Sequence, residues 1–483
     1  MKKRALVTSR WVTRRKRGAA LLVLTWVLAG CGCNPTASPT VTPDNPSPPG
    51  PTPSVTVSID QSQKFQTVEG FGAGLARWSG AGGHGCAGKD TVPDSDKTKI
   101  LDYLYTDLGL TSERAILGYQ SGGGFGVVEL IAPILAQAAQ RIQTKGDQLA
   151  YNLVGFITNP LRDSNGRLLS TGAASYANWA ANGLTTLINQ YGIVVNRWSI
   201  VNEPDGMGNI TPPELKQLVS ATGAAFRNAG LTTQIAVPQS VVVGQAQNYV
   251  TSILSDPSTL KYVHQLDYHE YDYDASRGQS TDVKGRHAVR DLAMQYGLTV
   301  AQRETSTDVK QNQSTFWDGT YDQAMAWAND VMTDMVEANA AAWDLILANY
   351  ARTDRVGLSS YIVMNYSNCV YRNFTIPPHY WTLRQFVKFV RPGAVRIAAS
   401  SSSGHVRVGA FADTKRQQTI LVVINNASGS FSASFTGVPN GLASVIQTTA
   451  AQNGIQQPQV TAQNGQFTAN LPARSVTTFV LGP

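Results

Sequence analysis

Apolar and polar positions in the middle of the chain follow two periodicities that alternate along the sequence. Short β-like runs are separated by segments in which apolar residues recur with helical spacing. The predicted strands are 197–201, 234–237, 265–269, 298–302 and 340–347, and the predicted helices are 215–228, 288–296 and 322–337. This alternation is typical of a parallel α/β sheet, and the number of units fits a (β/α)8 TIM barrel better than an open sheet.

The pattern changes after Gly393, where short strands are separated by turn-forming residues and no helix is evident. The predicted strands are 405–411, 419–425, 430–435, 467–471 and 475–481. Such a series predicts a C-terminal β-sandwich side domain appended to the barrel. An alternating segment at 55–59 is expected to join it. We therefore divide the folded part into a strand at 55–66, a barrel at 67–393 and a sandwich at 394–483.

The first thirty residues have the pattern of an export signal. A cationic start is followed by the apolar run 19–28, which is shorter than the roughly 20 residues that a membrane-spanning helix needs. The run ends in Leu28-Ala29-Gly30-Cys31, which resembles the lipobox of bacterial lipoproteins. The resemblance implies cleavage after residues 1–30, lipidation of Cys31 and a Pro/Thr/Ser-rich tether at 31–54. An ordinary signal peptide is the alternative.

This signal also explains the basic composition. Residues 1–30 carry eight Lys or Arg and no Asp or Glu, so without them the formal net charge falls from +7 to −1. The pI near 9.1 is therefore no argument for nucleic-acid binding. We expect an exported monomer at the bacterial cell envelope, anchored by its lipid (to the outer membrane, since Gly32 follows Cys31) or secreted. We expect no nucleic-acid partner and no other membrane contact.

Two glutamates occupy the positions where a barrel carries its chemistry. Glu203 follows the predicted strand 197–201, and Glu304 follows 298–302, about three βα units later. Barrel active sites lie at the C-terminal ends of the strands, so these carboxyl groups are expected to face each other across the mouth. A close pair of carboxyl groups, one protonated and one ionised, is what retaining glycoside hydrolysis requires.

The surrounding motifs resemble those of glycoside hydrolase family 30, a family of clan A retaining β-glycosidases. The segment Ser199–Asp205 resembles the strand that carries the acid/base residue of that family. Further resemblances cover the chain from about residue 55 to its end and lie at Gly70–Gly72, Leu345–Leu347, Tyr380–Ile397 and Leu471–Thr478. Of these, Tyr380–Ile397 is the most specific, and it favours this family over other families of the clan.

The resemblance implies roles for individual residues. Glu203 matches the general acid/base and Glu304 the nucleophile of a double displacement, with no cofactor. The substrate-binding residues that it implies are Asn202 for the sugar 2-hydroxyl, Arg114 beside the nucleophile, His269 and Tyr271 as polar neighbours, and Trp343 as a sugar platform. After the first strand, Trp78 and Arg77 are further candidates for the rim of the cleft.

Each of these residues also has a structural interpretation that the sequence leaves open. Trp343 and His269 would then belong to the core, Arg114 would pair with a surface acid, Glu203 would serve a helix cap and Glu304 would lie in a surface loop. The glycines at 122–124 lack the Lys-Ser/Thr of a phosphate loop. No His/Cys cluster has metal-ligand spacing, so we expect no metal.

Cys86 and Cys369 are the two cysteines of the folded part. They follow the first and eighth predicted strands, which are neighbours in a closed barrel, so we expect a disulfide between them at the catalytic face. Two free thiols are the alternative.

The predicted function is hydrolysis of an extracellular β-linked polysaccharide of the xylan, β-1,6-glucan or β-1,6-galactan type. The segment 154–160 lacks a tryptophan that the family usually has there, with Thr158 and Asn159 in its place, and this leaves the sugar open. The alternative is a non-catalytic, glycan-binding surface lipoprotein on a degenerate barrel, although binding alone would not require two opposed carboxylates.

Overall fold

The computed structural model describes residues 54–74, 78, 90–119, 125–271, 273–274, 279–280, 282–306, 319–351 and 359–482. All of them belong to one compact unit, residues 51–483. Within these ranges, none of the helices has the length and apolar composition needed to span a membrane. Arg77, Cys86, Cys31 and the glycines at 122–124 lie outside the described residues.

The strands are β1 Ser54–Thr67, β2 Gly70–Gly74, β3 Ser112–Gly118, β4 Ala150–Phe156, β5 Arg197–Ser199, β6 Gln234–Ser240, β7 Val263–His269, β8 Tyr273–Asp274, β9 Gln279–Ser280, β10 Thr299–Glu304, β11 Ala340–Leu345, β12 Leu347–Ala351, β13 Ser360–Ser367, β14 Val370–Thr375, β15 Val395–Ser401, β16 Val406–Asp413, β17 Gln418–Asn425, β18 Phe431–Thr436, β19 Gly441–Thr449, β20 Gln452–Ala462, β21 Gln466–Leu471 and β22 Ser475–Gly482.

The α-helices are α1 Asp94–Leu101, α2 Gly126–Gln143, α3 Gly172–Tyr191, α4 Pro212–Asn228, α5 Val243–Leu254, α6 Pro257–Leu260, α7 Val283–Tyr296, α8 Tyr321–Glu337 and α9 Pro378–Val387. A π-helix at Asp102–Leu108 continues α1, and a 3-10 turn lies at Asn159–Leu161. Helix α4 begins three residues before the predicted start at 215. Thr211 and Glu214 form a reciprocal capping box, and prolines occupy the first turn.

Eight parallel strands close into a barrel in the order β10-β11-β2-β3-β4-β5-β6-β7, which confirms the predicted TIM barrel. Two predicted strands differ from the structure. Strand β5 ends at Ser199, because the chain turns away there towards Glu203. The run 340–347 is divided between β11 in the barrel and β12, which pairs with β13 in a separate three-stranded sheet of the order β12-β13-β14.

The side domain is one nine-stranded sheet in the order β20-β19-β22-β17-β16-β15-β1-β18-β21. The sequence predicts a β-sandwich side domain, and its strands form one continuous hydrogen-bonded sheet. The sheet nevertheless folds over one core. Phe435 of β18 and Phe467 of β21 pack against Phe479 of β22, with ring centroids 4.9 and 5.2 Å apart. Strand β1 joins this sheet, parallel to β18 and antiparallel to β15.

Strand β17 connects the side domain to the barrel. Leu421 and Val423 point into the core of the side domain, whereas Ile420, Val422 and Ile424 belong to the apolar core of the barrel. Burial on both faces explains why this strand is continuously apolar instead of alternating. Polar contacts support the interface. Gln385 of α9 donates to Thr448 Oγ1 at 2.7 Å, and Thr478 donates to the Gln385 carbonyl at 2.9 Å.

Candidate active site

A β-bulge aims the side chain of Glu304 into the mouth of the barrel. Gln302 pairs with Tyr268, but Glu304 pairs with His269, so two residues of β10 lie opposite one step of β7. A bulge of this kind redirects the side chains that follow it. As a result, Arg303 donates to Asp344 inside the barrel, Nη1 to Oδ2 at 3.0 Å, while Glu304 lies beside His269.

Glu203 occupies a tight turn after β5. Its φ is 49°, which is left-handed, and its N–H donates to the Gln239 carbonyl at 3.1 Å. The Glu203 carbonyl accepts from the N–H groups of Gly206 and Gly208 at 2.9 and 2.8 Å. A Cβ on Gly208 would lie 2.5 Å from the Asn202 carbonyl oxygen, so this turn requires glycine there. A positive φ at a non-glycine residue that bears a functional side chain is typical of catalytic sites.

The two glutamates come together as predicted. Oxygens of Glu203 and Glu304 and a ring nitrogen of His269 all lie within 4.8 Å of one another. His269 Nδ1 is 3.2 Å from Glu203 Oε1 and 4.0 Å from Glu304 Oε1. Retaining glycosidases hold their carboxyl groups about 5–5.5 Å apart, whereas inverting enzymes leave about 6.5–9.5 Å for a water molecule. The arrangement matches the retaining geometry.

Arg114 of β3 organises the buried polar groups around the pair. Its Nη1 donates to Glu304 Oε2 at 2.5 Å, and its Nη2 donates to Asn202 Oδ1 at 2.7 Å and to Gln239 Oε1 at 2.9 Å. The guanidinium is only 4% exposed. It therefore does not pair with a surface acid, and it fixes three acceptors from three different strands or strand ends.

This environment keeps Glu304 ionised. Burial raises the pKa of its carboxyl, but the charge of Arg114 and the hydrogen bonds from Tyr271 and Arg114 lower the pKa below its ordinary value. Tyr271 donates to Glu304 Oε1 at 2.5 Å. Burial and the neighbouring Glu304 charge raise the pKa of Tyr271 well above its ordinary value, so it stays a phenol and a donor.

The side-chain oxygen of Asn202 accepts a hydrogen bond, whereas its side-chain nitrogen has no partner among the described residues. It is fully buried, and its Oδ1 accepts from Arg114, so its Nδ2 must point away from the guanidinium. Among the described residues, Nδ2 has no hydrogen-bond partner. A buried donor without a partner is costly unless a ligand satisfies it. This placement suits a donor to a sugar hydroxyl, as the sequence predicts.

Gln239 was not predicted as a site residue. It is the residue before the end of β6, and its φ is 58°, which is left-handed. Its side chain lies inside the site, where it contacts Arg114, His269, Ser199 and Asp267. The only trace in the sequence is a proline followed by a polar residue at the end of a predicted strand.

The expected role of Trp343 as a sugar platform is wrong. Its side chain is fully buried, and its Nε1 donates to Asp334 Oδ2 on α8 at 3.0 Å. The ring also packs edge-on against Trp327 of the same helix, with centroids 6.4 Å apart. It points outward from the barrel, because in a parallel strand alternate side chains face the helices. The inward residue is its neighbour Asp344.

The other predicted residues have mixed outcomes. Trp78 is partly buried, and its carbonyl accepts from the Tyr366 hydroxyl of β13 at 3.1 Å. No contact between Trp78 and either glutamate occurs among the described residues. Thr158 is also partly buried and donates to the Tyr119 carbonyl at 2.7 Å.

Cys369 is disulfide-bonded, but Cys86 lies outside the described residues, so their pairing stays a prediction.

Glu203, His269 and Glu304 are close enough to share a cation. The guanidinium of Arg114, already bound to Glu304, opposes a second positive charge there. The absence of a metal requirement therefore stays a prediction from the sequence.

The chain resembles known proteins in sequence and in fold. No family model matches the chain. The glucuronoxylanase XynC of Bacillus subtilis (strain 168) is 27% identical over 316 residues, which is 64% of this chain and 66% of that protein, slightly less than two thirds. The structure of a GH30 endoxylanase from Clostridium papyrosolvens C71 matches with a TM-score of 0.66 and 22% identity, over 89% of this chain and all of that one.

The structure of an endo-β1,6-glucanase matches with a TM-score of 0.67 and 18% identity, over 88% of this chain and 94% of that one. At these identities the solved structures show the fold alone. The glucuronoxylanase shows in addition a similarity in sequence over 316 residues. The chain is therefore similar in sequence to a glucuronoxylanase and in fold to a GH30 endoxylanase, and its paired glutamates lie at the ends of the predicted strands.

Proposed function

We propose that the protein is a retaining β-glycoside hydrolase that works by double displacement. The observation that carries the proposal is the placement of the Glu203 and Glu304 oxygens within 4.8 Å of each other, at the C-terminal mouth of a closed barrel. Two carboxyl groups at this distance serve as acid and nucleophile, with no room between them for a separate attacking water.

In the first step, Glu304 attacks the anomeric carbon and Glu203 gives its proton to the departing glycosidic oxygen, which leaves a glycosyl-enzyme ester on Glu304. In the second step, ionised Glu203 takes a proton from water, and the resulting hydroxide displaces Glu304. Arg114 and Tyr271 keep the nucleophile ionised and aligned. The free amide donor of Asn202 is placed to bind the sugar 2-hydroxyl, a bond that strengthens as positive charge develops on the ring.

The proposed substrate is a β-linked polysaccharide, with xylan as the first candidate. A relative that aligns over 316 residues bears the name glucuronoxylanase, which supports xylan. β-1,6-Glucan is the second candidate, because a structural neighbour that matches 88% of this chain is named an endo-β1,6-glucanase. β-1,6-Galactan stays a prediction from the sequence.

Reducing-sugar release from a panel of β-linked polysaccharides tests the proposal directly. We expect release from xylan or β-1,6-glucan by the unmodified protein and a loss of at least about a thousandfold in Glu304→Ala and Glu203→Ala. Added azide should then separate the two roles. Glu203→Ala should yield a β-glycosyl azide from an activated aryl glycoside, and Glu304→Ala should yield the α-anomer. The same anomer from both variants would contradict the assigned roles.

A folded protein that releases sugar from none of the polymers would refute the enzyme. If that protein and both alanine variants then bound glycans equally well, a surface glycan-binding protein would be the better description.

We also propose that the protein is exported and lipid-anchored through Cys31 at the cell envelope. The support is the motif Leu28-Ala29-Gly30-Cys31 after a cationic and apolar start. Incorporation of a labelled fatty acid in a bacterial host, abolished by Cys31→Ala, is the expected result. Equal labelling of both proteins, or labelling of neither, would refute the anchor.

A further inference from the structure

The side-chain amide of Gln239 is held in one orientation. Its oxygen lies 2.9 Å from Arg114 Nη2, a group that can only donate, so the oxygen must face the guanidinium. Its nitrogen lies 2.9 Å from Ser199 Oγ and 3.0 Å from Asp267 Oδ2. The Gln239 backbone N–H also donates to the same Asp267, Oδ1 at 3.0 Å. Donors and acceptors agree on both sides, so the amide cannot be reversed without loss of these bonds.

The hydrogen atoms of Arg114 Nη2 are fully used. This nitrogen carries two hydrogens, and the two acceptors at 2.7 and 2.9 Å are Asn202 Oδ1 and Gln239 Oε1. His269 Nε2 lies 3.3 Å from the same nitrogen and 3.0 Å from Gln239 Oε1. With no hydrogen left for it on Arg114, Nε2 must itself be protonated and donate to Gln239.

This assignment determines what faces Glu203. A proton on Nε2 occurs both in a neutral ring and in a doubly protonated one, and we assign to His269 the neutral ring, in which Nδ1 is an acceptor. Nδ1 lies 3.2 Å from Glu203 Oε1, and a hydrogen bond between them then requires the proton to sit on the carboxyl oxygen. That is the protonation state with which the first step of hydrolysis must begin.

We propose that Gln239 is a positioning residue, which fixes the Nε2–H tautomer of His269 and thereby keeps the transferable proton on Glu203. The proposal rests on the retaining mechanism proposed above. When Glu203 gives this proton to the leaving oxygen, its carboxylate faces the lone pair of Nδ1, a repulsive contact that ends when Glu203 takes a proton from water. The proton count of the pair is restored at the end of each cycle.

Other charged and titratable groups also face the pair, and none of them replaces Gln239. Arg114 approaches from β3, Glu304 from β10 and Tyr271 from the end of β7. Asp267 accepts from Gln239 Nε2, and its burial raises its pKa. Asp205 lies in the turn after Glu203, where burial likewise raises its pKa and its Oδ1 accepts from the Val241 N–H.

Nitrogen NMR of the full-length protein labelled with 15N-histidine tests the tautomer without any activity assay. The chain has six histidines, and His269 is assigned by the signal that is missing in His269→Asn. We expect a neutral ring with the proton on Nε2 at the pH of the assay. A proton on Nδ1, either in the other neutral tautomer or in a doubly protonated ring, would overturn the proposal, even in a fully active enzyme.

Kinetics of Gln239→Met test the consequence for catalysis. Methionine keeps the volume but removes the acceptor, so His269 can move its proton to Nδ1 and donate to the Glu203 carboxylate. We expect the alkaline limb of kcat/KM on the polymer, which reports the general acid, to move down by about one pH unit. The leaving group of a dinitrophenyl glycoside departs without protonation by an acid. In Gln239→Met, the factor by which kcat/KM falls should therefore be at least about ten times smaller for this glycoside than for the polymer.

Ser199→Ala is the matched control, since Ser199 contacts Gln239 and Asp267 and its removal leaves the acceptor of His269 in place. Its alkaline limb should stay where it is in the unmodified protein. Equal losses on both substrates in Gln239→Met, with an unmoved limb, would overturn the inference and leave the proposed function intact. Failure of the unmodified protein on every substrate would instead refute the proposed function.

Discussion

The hydroxyl of Tyr271 donates to Oε1 of Glu304 at 2.5 Å. Because Arg114 binds the other oxygen, each oxygen of the nucleophile has its own donor. The carboxylate is therefore held in a fixed plane at the end of β10, as a nucleophile must be to meet an anomeric carbon in line.

Tyr271→Phe is expected to raise the pKa of Glu304, because the Tyr271 hydrogen bond is one of the contributions that lower it. The nucleophile must be ionised, so the acidic limb of kcat/KM should move to higher pH, by about one unit. Activity above the limb should fall by less than activity below it. A pH–rate profile decides this, and an unmoved acidic limb would show that the hydroxyl does not stabilise the ionised form.

Arg114→Lys keeps the positive charge but cannot reach three acceptors in the fixed plane of a guanidinium. We expect kcat/KM to fall about a hundredfold, equivalent to roughly 2.7 kcal/mol of transition-state stabilisation. Arg141→Lys is a suitable control, because Arg141 pairs with Asp102 on the outer helices and should tolerate the change. Near-wild-type activity in Arg114→Lys would mean that charge alone is sufficient.

Trp343→Phe separates packing from sugar binding. Loss of the indole N–H leaves Asp334 Oδ2 without this donor, and the smaller ring leaves a void, so unfolding free energy should fall by about 2 kcal/mol. Because the ring faces α8, KM for the polymer should change less than about twofold. Urea unfolding and steady-state kinetics measure both quantities. A large rise in KM with unchanged stability would restore the platform role.

Glu113 should make the stability of the protein depend on pH. Its side chain is buried, and burial raises its pKa to about 8 from an ordinary 4.5, even though the Tyr105 hydroxyl donates to it. The folded state therefore binds one more proton than the unfolded state between these values. Stability contributed by this group is complete below about pH 4.5 and falls as pH rises towards 8, by up to roughly 1.4 kcal/mol per unit.

Glu113→Gln removes this proton but keeps an acceptor for Tyr105. We expect the variant to lose less stability than the unmodified protein between pH 5 and 8, as measured by the unfolding midpoint. Asp291→Asn removes an acid whose side chain is 65% exposed, and its stability curve should run parallel to that of the unmodified protein. Parallel curves for Glu113→Gln as well would contradict the buried, protonated carboxyl.

The sequence predicts the barrel and its two glutamates well because both depend on local, periodic signals. Glu203 and Glu304 each follow a short apolar run, and strand ends of a parallel barrel must meet at one face. Gln239 could not be found in this way, since its backbone has a left-handed φ within the last residues of β6. This feature does not follow from residue type alone.

Strand β20 was not predicted from the sequence, for a similar reason. Strand β20 is rich in glutamine and has an almost fully exposed pattern, so it carries no alternation of apolar residues. It pairs with β19 at an edge of the sheet, where hydrogen bonding replaces burial. Trp343 was misassigned for a different reason. A strand in a barrel has two buried faces, and the sequence does not indicate which one a large apolar side chain occupies.

The pairing of β1 constrains the order in which the chain can fold. Val57 of this first strand lies opposite Ser401 of β15 and Phe435 of β18, so its partners leave the ribosome only after the entire barrel has been made. Until then, the edges of β1 stay open to pairing with other chains. A chain with this layout therefore depends on a barrel that folds before its side sheet can close around β1.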